Sequence, residues 1–135
     1  MTEPGAASPL SLAERIEVIE QAYELMLAYA AQGRQNDADD SSSIRRFLQR
    51  ADAALEGLAA CLRESAATQA EVYADFIAVL EQDASHTRAA LRLVLAQKAL
   101  SSQLIDNLNA SIHIRALLTD IFLIDETLKD TDSDG

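Results

Sequence analysis

The side chains of this sequence best suited to chemistry are glutamates, and they crowd one stretch. Glu14, Glu17, Glu20 and Glu24 recur at spacings of three and four, so on a helix Glu17, Glu20 and Glu24 share a face. A di-iron type carboxylate bundle uses such a face, but it also needs Glu-x-x-His on two further helices. The nearest fragment is Asp83-Ala-Ser-His86, read here at a helix start, and His113 has Asn109 and Ala110 where a carboxylate should stand. With Ile112 and Ile114 beside it, His113 reads as a half-buried packing position. Without a ligand set, the acidic face reads as solvated and partly neutralised by Arg45, Arg46 and Arg50.

Small acidic four-helix bundles can also relay phosphate through an exposed mid-helix histidine. Such a histidine is ordinarily followed by Lys-Gly and small residues. Ser85-His86-Thr87-Arg88-Ala89-Ala90 has no Lys-Gly pair. The carboxyl end spells Asp130-x-Asp132-x-Asp134-Gly135, the opening of a calcium loop without the backbone ligand and bidentate glutamate that complete one. Cys61, the single cysteine, lies in Leu58-Ala59-Ala60-Cys61-Leu62 with no histidine near it in sequence, and reads as a small packed hydrophobe. No Gly-rich phosphate loop, Cys/His metal spacing or serine with a base–orienter pair occurs. The sequence therefore assigns no catalytic, cofactor-binding or metal residue and points away from an enzyme.

The elements that would position any site are helices. In 135 residues, Pro is confined to positions 4 and 9, so nothing from Leu10 onward excludes a helix sterically. Apolar residues are 49% of the chain but aromatics only 4%, so the core must be aliphatic. The net charge of −11 opposes binding to nucleic-acid phosphates or to an anionic membrane surface, and no apolar run is long enough to span a bilayer. The start, Met-Thr-Glu-Pro, is no signal peptide. One cysteine and no leader imply a cytoplasmic setting. Nine Arg against two Lys, with abundant Ala, is the bias of a GC-rich bacterial genome.

Residues 1–10 read as a disordered lead, 11–129 as one helical domain, and 130–135 as an acidic disordered tail. Ser11-Leu12-Ala13-Glu14 is a capping box. It opens a helix with Leu12, Ile16, Ile19, Tyr23, Met26 and Ala30 on one seam, stopping near Gly33. A polar loop follows over 34–43. One of Asp40 to Ser43 then caps a second helix whose stripe is Ile44, Phe47, Leu48, Ala51, Leu55, Leu58, Ala59 and Leu62, with Gly57 inside it. Thr68-Gln69-Ala70-Glu71 should open a third helix with Val72, Phe76, Val79 and Leu80 facing inward, and Asp83 or Ser85 a fourth. From Ala89 to Leu128 the only candidate break is 107–111. The expected fold is an all-α antiparallel bundle of four long helices, with five segments if that break is real.

The end of the bundle carries more apolar surface than one face needs. Ile112, Ile114, Leu117, Leu118, Ile121, Phe122, Leu123 and Ile124 cover most of a helix circumference at about 100° per residue. Either the helix is central or part of it forms an interface. These eight residues are the candidate partner or dimer surface. The expected function is a protein–protein interaction module acting as a homodimer, as a chaperone or assembly factor for a protein partner. In size and acidity the chain is similar to many flagellar and type III export chaperones, on composition alone and with no shared motif.

Overall fold

In a computed structural model that describes residues 10–38, 43–66 and 70–134, local capping and long-range hydrogen bonds set where helices begin and end. The elements are α1 (Leu12–Ala30), α2 (Ile44–Leu55), α3 (Leu58–Ser65), α4 (Ala70–Leu95), α5 (Ser102–Asn109) and α6 (Ile112–Asp134). The all-α bundle stands, but among the described residues it has six helices rather than four or five. Of the expected lead, residues 1–10, all but Leu10 lie outside the described residues, as do the loop tip, residues 39–42, and Thr68 and Gln69 of the expected capping box.

Helix α1 starts as its sequence dictates. The Ser11 amide donates to Glu14 Oε1 at 2.8 Å and the Glu14 amide to Ser11 Oγ at 3.1 Å, a reciprocal capping box. Ser43 precedes α2 in a left-handed conformation without a side-chain cap bond.

The second expected helix is two. Gly57 has φ +85°, a conformation an L side chain adopts only with strain, and this ends α2. The freed carbonyls at that end are taken by a buried arginine. Arg15 Nη1 donates to Ala54 O at 2.9 Å and to Glu56 O, and its Nε donates to Leu10 O at 3.2 Å. A cation at a helix C-terminus also opposes the helix dipole favourably. A Cβ on Gly57 would stand 3.3 Å from Arg15 Nη2, so the φ calls for glycine and any side chain there would also press on the Arg15 guanidinium.

Helix α4 is one unbroken run of 26 residues, where a new helix had been expected at Asp83 or Ser85. With no Gly or Pro between Ala70 and Leu95, weak helix formers at 83 and 85 do not stop it. The break comes later, at 96–101, which the sequence pattern did not mark. There Ser101 caps α5 by accepting from the Leu104 amide at 3.0 Å. The break expected within 107–111 is real and falls at Ala110 and Ser111.

Polar contacts give the directions. Arg45 reaches the end of α4 at Leu95 O, Asp52 pairs with Arg88, and Arg63 pairs with Glu81. Helices α2 and α3 therefore run together, antiparallel along α4. Ile19, Met26, Ala51, Leu55, Leu91 and Leu117, from four helices, meet around a cavity of about 30 Å³. This is the centre of an aliphatic core.

Candidate functional site

The inward face of α4 is Tyr73, Ile77, Leu80, Ala84, Thr87, Leu91 and Val94, a regular helical spacing. The expected inward face was Val72, Phe76, Val79 and Leu80. Only Leu80 is fully buried; Phe76 is half-buried, while Val72 is 75% exposed and Val79 49%. Helix α4 thus carries two apolar stripes, and one points outward. Periodicity alone could not say which stripe meets the core.

Helix α6 is built the same way. Of the eight candidate interface residues, Ile114, Leu117, Leu118, Ile121 and Ile124 lie in the chain's own core. Ile112, Phe122 and Leu123 stand outside, at 73%, 53% and 55% exposure. Six of the seven large exposed hydrophobics among the described residues belong to α4 or α6; Leu27 on α1 is the other. A groove of about 280 Å³ runs between the two helices, lined by Val72, Tyr73, Phe76, Leu123, Ile124 and Thr127, with no charged residue on its walls.

Across this antiparallel seam, like meets like. Tyr73 donates to Thr127 Oγ1 at 3.2 Å, hydroxyl to hydroxyl. Farther along, the carboxyl of Asp83 meets that of Asp120. Asp120 is buried, and its Oδ2 finds no hydrogen-bond partner among the described residues while both groups are ionised. Burial first, then the hydrogen bond and charge of Asp83, push the Asp120 carboxyl up to about 7. A carboxylate only accepts, so the pair is satisfied only when one proton lies between them. Beyond it, the rings of His86 and His113 pack edge to face with centroids 4.9 Å apart and planes at 64°.

None of these pairings was legible from spacing within one helix. His86 lies mid-helix, not at a helix start, because α4 is continuous. His113 is exposed rather than half-buried. The acidic face of α1 is not neutralised by Arg45, which is engaged with Asp37 and the end of α4. Glu17 and Glu24 are exposed, and Cys61 is half-buried and free. The side chains of Asp130, Asp132 and Asp134 lie outside the described residues. No group of three or more His, Cys, Asp or Glu is placed to hold a metal ion among the described residues. No described helix is long and apolar enough to cross a membrane.

Compared with known proteins, the chain matches no family model, no curated protein sequence and no solved structure.

Proposed function

We propose that this protein is a non-enzymatic, cytoplasmic protein–protein interaction module that self-associates through the outer face of α4 and α6, in the manner of a small chaperone or assembly factor. The observation that carries the reading is the second apolar stripe: Val72 and Phe76 on α4 beside Leu123 on α6, with Val79 also exposed on α4. Isolated exposed hydrophobics are ordinary, but a contiguous set around an apolar groove is a mark of an interface. A second copy is the occupant we favour. A chain of net charge −11 repels its own kind unless the meeting surfaces carry little charge, and this groove has no charged lining. An isologous contact would then lay each groove against the partner's stripe.

The test is light scattering of the full chain and of Val72→Asp and Leu123→Asp variants. Both sites are exposed, so the variants should melt like the parent. The expected result is a dimer for the parent and monomers for both variants. A parent that stays monomeric, or variants that dimerise equally, overturns self-association. A monomer whose groove captures an amphipathic peptide would point instead to a heterologous client.

One observation favours a second reading, histidine phosphotransfer. His86 is exposed in the middle of an unbroken helix, the placement that chemistry requires. Incubation with acetyl phosphate, followed by phosphorus NMR, would show an acid-labile phosphohistidine lost in His86→Ala; no such signal sinks it.

A further inference from the structure

We propose that His86 and His113 form a two-point binding site for a borderline divalent transition ion such as Zn²⁺ or Ni²⁺, clasping α4 to α6. The first ground is distance. Two imidazoles bound to one tetrahedral ion through Zn–N bonds of ~2.0–2.1 Å hold their ring centres about 5 Å apart. The two ring centroids here are 4.9 Å apart, so the two side chains already stand at the separation that chelation needs. The planes stand at 64°, and turning an exposed imidazole about its side-chain bonds brings a nitrogen round without moving either helix.

The second ground is chemistry. Both rings are exposed, so an ion and its remaining water ligands have access. Imidazole selects Zn²⁺, Ni²⁺ and Cu²⁺ over Mg²⁺ and Ca²⁺, which prefer oxygen. Asp83, one turn before His86 on α4, and Asp120 on α6 add negative charge to the same seam, and that field draws a cation. Two protein ligands leave coordination positions to water, which makes this an open, exchangeable site rather than a closed structural one.

An ion held between α4 and α6 would stiffen the face proposed for docking, yet the site lies within one chain and does not need that reading. The sequence has two histidines, so the imidazole signals can be assigned by substitution. The experiment is calorimetric titration of the full chain, prepared without a polyhistidine tag, with ZnCl₂, NiCl₂ and MgCl₂. Imidazole nitrogen NMR shifts are followed in parallel. Saturable binding of Zn²⁺ and Ni²⁺ at one ion per chain is expected, with both imidazoles shifting together and Mg²⁺ silent. His86→Ala and His113→Ala should each abolish it, and acidification should weaken it because protons compete for the nitrogens. Thermal melts of the ion-free variants, expected to match the parent, separate loss of a ligand from loss of fold. Binding that survives in either variant, an equal response to Mg²⁺, or no saturable binding overturns the site, whatever the oligomeric state proves to be.

Discussion

Two polar regions of this bundle follow opposite rules. At one pole, where the 34–38 loop meets the 96–101 turn, hydrogen bonds and an ion pair join unlike groups. Tyr29 donates its hydroxyl to Leu100 O, Ser102 Oγ donates to Tyr29 O at 2.7 Å, and the Leu100 amide donates to Asp37 Oδ1 at 3.0 Å. Asp37 pairs with Arg45 at 3.0 Å, and Arg45 also serves Leu95 O and Gln97 O at the end of α4. On the α4–α6 seam, carboxyl faces carboxyl and imidazole faces imidazole. The pole is arranged for stability. The seam keeps groups that stability alone would not select, and it lies on the helices that expose most of the large hydrophobics. That coincidence is why the seam, not the pole, is the functional candidate.

The pKa directions state the same contrast. For Asp37, burial raises the carboxyl, but the hydrogen bonds from Arg45 and the Leu100 amide, its own backbone N–H and the Arg45 charge together outweigh it. The net shift is below the ordinary value. Its folded pKa being depressed, Asp37 stabilises the fold above its unfolded value, and that contribution is lost as pH falls through the folded one. Asp120 is the reverse. Its folded pKa, about 7 against 3.8, means the folded chain holds the extra proton between those values, so stability declines as pH rises through that window.

The comparison can be broken most sharply at the pole. Arg45→Ala leaves half-buried Asp37 without its cation and strips the cap from α4. A loss of about 2–4 kcal/mol is expected in denaturant unfolding; a loss below about 0.5 kcal/mol, ordinary for a surface change, would remove the distinction between the two regions. On the seam the sign should invert. Asp120→Asn keeps a hydrogen-bond donor for Asp83 without needing a proton. It should stabilise the chain by about 1–2 kcal/mol at pH 8 and by almost nothing near pH 4. Destabilisation at pH 8 would mean that the carboxyl pair is not the strained element described.

Much of the fold could be read from local signals. The capping box at Ser11 and the stripe from Ile44 to Leu62 are encoded within a few turns; α1 begins accordingly, and the stripe packs inward although it is divided between α2 and α3. What escaped reading was set at long range. The break at 96–101 depends on Tyr29, Asp37 and Arg45, which lie far away in sequence, while the residues of the turn itself tolerate helix. Gly57 looked like a glycine within a helix because its partner, Arg15, is on another element. On the seam, Val72 and Val79 had the spacing of core residues, and only the second stripe at Tyr73, Ile77 and Leu80 displaced them to the surface. Asp120 gave no warning at all, since its significance comes from Asp83 across the helix pair.

Methyl NMR of the intact chain over a rising concentration series tests the docking face most directly. Signals of Val72, Val79, Ile112 and Leu123 should move together while that of Leu27, as bare as Val79 but on α1, stays fixed. Shifts that fall on Leu27 alike, or no shifts at any concentration, would contradict the assignment of this face to self-association.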